Sequence, residues 1–133
     1  MPDQTADSPY VLGAASAEHD RLIRQAAIWN PFTERLLRDA GIGTGQRVLD
    51  IGSGVADVAM LAARLVGPSG EVVGVERDPA TLATARSRVA QAGLSNVSFI
   101  ETDVRGIASS KLFDAVVGRA ILQYLPEAGA ADS

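Results

Sequence analysis

Three carboxylates occupy equivalent places in this chain. Asp50, Glu76 and Asp103 each follow a short apolar run of the length of a buried strand. Behind Asp50 come Gly52, Ser53 and Gly54. Glycines there let backbone approach a ligand closely, and the helix that follows offers N–H groups with no intrahelical partner. Glu76, followed by Arg77, can accept both hydroxyls of a ribose. Asp103, next to the backbone amide of Val104, can read the amino edge of an adenine. A fourth apolar run ends at Gly118 and Arg119, which would line the same cleft. Taken singly, a glycine pair is a tight turn, and Asp78 before Pro79 is a helix N-cap. Three acids in order behind three strands point instead to recognition of a nucleoside-bearing small molecule.

The elements that must position these residues follow from periodicity and breakers. Residues 47–51, 71–76, 97–101 and 113–117 read as strands, the second continuous in apolar character as buried parallel strands are. Residues 55–65 read as a helix opened by the glycine turn, and 79–92 as a helix with Pro79 in its first turn and Gly93 at its end. Upstream, residues 14–30 carry Leu22, Ile23, Ala26, Ala27 and Trp29 at helical spacing. Pro31 marks the start of a second helix that runs to residue 40. Alternating strands and helices predict an α/β fold, a doubly wound Rossmann-like parallel sheet of about four strands in the order 3-2-1-4. In such a sheet ligands bind beyond the carboxyl ends of the strands, where the acids stand.

Composition narrows the class. With 133 residues and 47% hydrophobic content, the chain predicts one globular domain. Its net charge of −4 argues against a nucleic-acid scaffold, which presents a basic face. Absence of cysteine excludes disulfides and thiolate metal sites, and one histidine, His19, cannot build a zinc site. No metal is expected. The first eight residues lack signal-peptide character, and no apolar run reaches membrane-spanning length. The expected setting is cytoplasmic, with no membrane partner.

The stretch from Val48 to Asp57 resembles the first motif of class I S-adenosylmethionine-dependent methyltransferases. Glu76 is similar to that family's ribose-binding acid, Asp103-Val104 to its adenine-contacting pair, and Phe113–Val117 with Arg119 to its fourth-strand motif. The resemblance implies S-adenosyl-L-methionine as cofactor. It implies that Asp50, Gly52, Ser53 and Gly54 cradle the methionine part and that Glu76, with Arg77 beside it, holds the ribose. It further implies that Asp103 and Val104 hold the adenine and that Arg119 faces the methionine carboxylate or the pocket mouth. It divides the chain into an N-terminal tail (1–13), a helical lid (14–42), a cofactor-binding core (43–125) and a C-terminal tail (126–133). The methyl acceptor is expected to be a small molecule. No general base stands out; His19 and Tyr10 are candidates only through their place in the lid. Ala56 stands where the family's motif often has a third glycine.

Two alternatives stay open. Gly52-x-Gly54 with the distant Glu76 loosely fits a nicotinamide-dependent oxidoreductase half-domain, although Asp57 replaces the third glycine of that fingerprint. A non-catalytic binding or assembly module is the other. Family members continue past the fourth strand, so the chain reads as a C-terminally shortened fold. Its fourth strand would then be an exposed edge, and homo-oligomerisation through that edge, or cover from the N-terminal helices, is expected to hide it.

Overall fold

The structure is a computed structural model that describes residues 9–103, 112–118 and 121–124, with side chains over 16–103 and 112–118. Its order is α1 (Pro9–Asp39), β1 (Arg47–Ile51), α2 (Asp57–Val66), β2 (Glu71–Glu76), α3 (Pro79–Gln91), β3 (Val97–Glu101), β4 (Ala115–Gly118) and β5 (Ile121–Tyr124). The sheet order is β3-β2-β1-β4-β5. The first four strands run parallel, in the expected 3-2-1-4 arrangement, and β5 adds to β4 in the antiparallel sense.

Central position explains the burial of β1. Its Val48, Leu49 and Asp50 are paired on both sides, to Val72, Val73 and Gly74 and to Ala115, Val116 and Val117. Alternation sends successive side chains to opposite faces. Val48, Val72, Ala115 and Val117 share one core with Ala59, Ala62, Ala63 and Val66 of α2, Ala85 and Val89 of α3 and Leu37 of α1. Leu49, Val73, Val75 and Val116 form the second, on the other face, with Phe113 and Ile51 against them. Small alanines on α2 let that helix lie close on the sheet.

Loop ends are tied by specific groups. Asn96 Nδ2 donates to the carbonyls of Ala63 and Gly67, at 3.0 and 2.9 Å, which satisfies the end of α2. Asp78 caps α3 as expected, accepting from Thr81 N–H at 2.9 Å and from the Thr81 hydroxyl. Those Thr81 bonds hold the Asp78 carboxyl below the usual carboxylate range, the hydroxyl's contribution first.

Two expectations are corrected. The N-terminal segment is a single helix from Pro9, so it takes in part of the presumed tail and does not restart at Pro31. Proline removes one i→i−4 bond, but its φ is helical. Leu22, Ala26, Trp29, Thr33 and Leu37 lie at successive threes and fours and line one cavity from both sides of the proline. Leu37 of this stripe is buried in the core, which anchors the helix beyond the proline. The second correction concerns β4. It is not an edge, because residues 115–118 pair with residues 124–121, so the expected route to self-association through an open fourth strand is closed.

Candidate functional site

The carboxyl ends of β1 and β2 are joined through the glycine turn. Ser53 N–H donates to the Val75 carbonyl at 2.9 Å, and Ala56 N–H to the Ser53 carbonyl at 2.9 Å. Gly52 and Gly54 have φ of 67° and 58°, left-handed values that favour glycine. A Cβ at Gly52 would meet no atom within 4 Å, so this backbone faces open space. Ala56 also has positive φ, 78°, and is fully buried. An alanine there accepts the left-handed strain that a third glycine would remove.

Glu76 completes the turn from the next strand. Its Oε1 accepts from Gly54 N–H at 3.0 Å, and its Oε2 accepts from Asp78 N–H at 3.2 Å. Each carboxylate oxygen has a second lone pair, so both remain able to accept from a ligand hydroxyl. Thr102 N–H donates to the Glu76 carbonyl at 3.1 Å, which carries the β2–β3 pairing past the strands and sets Asp103 beside Glu76.

From the far side, α3 braces the same turn. Arg88 Nη1 donates to the Val55 carbonyl at 2.8 Å and to Asp57 Oδ1 at 3.0 Å. Both side chains of this pair are about four-fifths covered, 21% and 17% exposed. Arg88→Ala should lower stability by about 2 kcal/mol, because it removes two charge-assisted bonds from a sheltered place. Urea unfolding of the two chains measures this, with the midpoint falling at unchanged slope.

Two cavities meet over the strand ends. The larger, of about 560 Å³, is bounded by Asp50, Gly52, Ser53, Asp57 and Gly118 below and by α1 above. The smaller, of about 530 Å³, brings together His19, Gly54, Glu76, Arg77, Thr102 and Asp103. Leu22, Gly52 and Val55 border both. The α1 helix therefore roofs the crevice, with its His19 end over one cavity and its Trp29 end over the other.

A family model described as a methyltransferase domain matches residues 42–131. The chain belongs to that family. This methyltransferase domain is 42% identical, over 77 residues, to a ubiquinone/menaquinone biosynthesis C-methyltransferase of Pseudomonas paraeruginosa. That match covers 57% of the chain and 29% of the relative, so the chain spans less than a third of it. Among solved structures it is similar to an RNA methyltransferase from Salinibacter ruber in complex with S-adenosyl-L-homocysteine. There the TM-score is 0.59 and identity 29%, over 66% of this chain and 56% of the other. An arsenic(III) S-adenosylmethionine methyltransferase from Chlamydomonas reinhardtii aligns with TM-score 0.51 and 39% identity, over 59% of this chain and 29% of that one.

In the methyltransferase domain the expected residues divide between the two cavities. Asp50 is 1% exposed and Ser53 is 8% exposed, both at the larger cavity. Ser53 Oγ has no hydrogen-bond partner among the described residues. Gly54, Glu76, the exposed Arg77 and Asp103 belong to the smaller cavity, and Gly52 touches both. Val104 and Arg119 lie outside the described residues, as does the side chain of Tyr10. Sequence reasoning missed Leu22 as the boundary between cavities and Arg88 as the brace. The helical spacing around Leu22 was a usable signal, whereas nothing in the sequence ties Arg88 to a carbonyl 33 positions away. His19 is a candidate base only through its place in the lid. Its Nδ1 lies 3.1 Å from Thr84 Oγ1 and its Nε2 3.4 Å from Thr81 Oγ1, so the ring is engaged with α3.

Among the described residues no group of acids and histidine could hold a metal ion, and no helix is long and apolar enough to cross a membrane.

Proposed function

We propose that this chain is the S-adenosylmethionine-binding part of a methyltransferase that acts on a small molecule. The observation that carries this reading is the bond from Gly54 N–H to Glu76 Oε1 at the wall of one cavity. It brings the close-approach backbone of the turn and a ribose-accepting carboxylate onto one surface, with Asp103 beside them. The residues fit the cofactor: Gly52 leaves room that a side chain would fill, and the acids sit where a neutral ribose and an adenine amine need acceptors.

In this reading Glu76 holds the ribose with Arg77 at its side, and Asp103, with Val104, holds the adenine. Asp50, Gly52, Ser53 and Gly54 hold the methionine part, with Arg119 at the mouth. When bound, S-adenosylmethionine supplies a methyl group already activated on sulfonium. The protein's own task is to hold two reactants in line and to exclude water. The α1 roof supports the second part, since Leu22, Ala26 and Trp29 cover the crevice.

The larger cavity supports a small-molecule acceptor. Its size is that of a small-ligand site, and its walls include Leu22, Ala26, Trp29, Val58 and Val117. A net charge of −4 does not favour nucleic acid as acceptor. We place the reaction in the cytoplasm, since a cysteine-free chain needs no oxidising compartment. Calorimetric titration separates the readings. S-adenosylhomocysteine should bind and NAD should not. Binding of NAD alone would make this a nicotinamide-dependent fold instead, and binding of neither would leave a fold without the cofactor site.

A further inference from the structure

His19 sits one turn before Leu22 on the roof helix and faces α3 across the smaller cavity. Its hydrogen-bond partners suit one arrangement of donors and acceptors. The Thr81 hydroxyl donates its proton to Asp78 Oδ2, so Thr81 Oγ1 can only accept from the imidazole. In that arrangement Nε2 donates to Thr81, and Nδ1 pairs with the Thr84 hydroxyl at 3.1 Å, closer than the Ala80 carbonyl at 3.5 Å. Asp78, Thr81, His19 and Thr84 form one directed chain. It starts at the N-cap of α3, crosses to His19 on α1 and returns to α3 at Thr84.

This chain links two elements that otherwise touch little at this end of the crevice. The imidazole borders the same space as Gly54, Glu76, Thr102 and Asp103. Thr84 borders neither cavity. The side-chain bond that joins Thr84 to the cavity wall is the one to His19.

We propose that His19 is a positioning residue for the nucleoside half of the cofactor: clasped to α3 through Thr84 and Thr81, it holds the roof helix over the ribose and adenine acids. This rests on the S-adenosylmethionine reading above. The roof adds contact area to the bound nucleoside and shields the Glu76 and Asp103 contacts from water, where hydrogen bonds to charged groups are strongest. Without the clasp, the His19 end of α1 must be ordered at the moment of binding, and affinity falls accordingly.

The test is calorimetric titration of S-adenosylhomocysteine into the full chain and into His19→Ala, Thr84→Ala, the double variant and His19→Gln. His19→Ala should weaken binding roughly tenfold, and Thr84→Ala by a factor of about three to ten, the effect of one hydrogen bond. The double variant should bind no more weakly than His19→Ala, since in this proposal Thr84 acts through the ring. His19→Gln, whose amide can donate to Thr81, should recover part of the loss. Melting of each ligand-free chain guards against a folding defect; Thr84→Ala, a single hydroxyl lost at a half-buried place, should melt close to the unsubstituted chain. Unchanged affinity in His19→Ala overturns the proposal, and so does additive loss in the double variant. Failure of the unsubstituted chain to bind is a different result, because it overturns the cofactor reading itself.

Discussion

Glu76→Ala should raise the Kd for S-adenosylhomocysteine by a factor of roughly 30–150, about 2–3 kcal/mol. Two losses add. In the proposed complex the carboxylate accepts ribose hydroxyls, and hydrogen bonds to a charged group are worth more than neutral ones. The same carboxylate also accepts from Gly54 N–H at 3.0 Å and Asp78 N–H at 3.2 Å. Removing it leaves the turn amide without its acceptor, so the cradle loosens as the ribose contacts vanish. Glu76→Gln separates the two losses. Its amide oxygen can still accept from Gly54, but its charge is gone, and it should lose only about tenfold. Titration calorimetry on the three chains checks the order. Equal affinity in Glu76→Ala would show that this acid does not touch the ligand.

Gly74→Val should be the most damaging substitution to the fold near the site. Gly74 lies in the middle of β2, paired with Asp50 on one side and Phe99 on the other. A Cβ there would come 2.8 Å from Phe99 Cδ1, 2.9 Å from Cε1 and 3.0 Å from Ser53 Cβ. Phe99 is half-buried on β3 and can swing outward. Ser53 cannot give way cheaply, since it is 8% exposed and its N–H is bound to Val75. Valine adds two further carbons to this crowding. Overpacking of this kind costs about 3 kcal/mol, which is roughly 10 °C in melting temperature for a chain of this size. The displaced turn should also bind S-adenosylhomocysteine more weakly than lost stability alone explains. Phe99→Leu in the same chain should restore part of the melting temperature by opening space on one side. Thermal unfolding of the single and double variants measures both effects.

Much of the architecture was readable because parallel strands leave a simple mark. The runs at 47–51, 71–76 and 97–101 match β1, β2 and β3 residue for residue. Each is apolar on both faces and ends at a breaker or an acid. The fourth run was placed two residues early. Phe113 packs under Arg47, 4.8 Å from ring centre to guanidinium, and Asp114 Oδ2 accepts from Arg47 N–H before the ladder begins. The short β5 was not foreseen. Arg119 and Ala120, which precede it, are not a hairpin dipeptide, and four residues give too little alternation to recognise. Continuity through Pro31 was also hidden, because the stripe that spans the proline is visible only against its cavity.

The cofactor wall was legible in part for a related reason. Gly52, Gly54, Glu76 and Asp103 carry their meaning in position along the chain, behind strands whose order can be read. The bonds that make them one surface are different. Arg88 to Val55 and His19 to Thr84 join residues 33 and 65 positions apart. Neither pair has a local pattern to announce it, so only the folded chain reveals them.

The left-handed, fully buried Ala56 limits how this turn can vary over generations. A single-base change in an alanine codon yields valine, threonine, serine, proline, glycine or an acid. Every one except glycine adds atoms to a residue that has neither the backbone freedom nor the space to receive them. The mutational neighbourhood of this position therefore has one open exit, to glycine. Drift at residue 56 is confined to the two smallest side chains, whatever substrate the rest of the domain comes to serve.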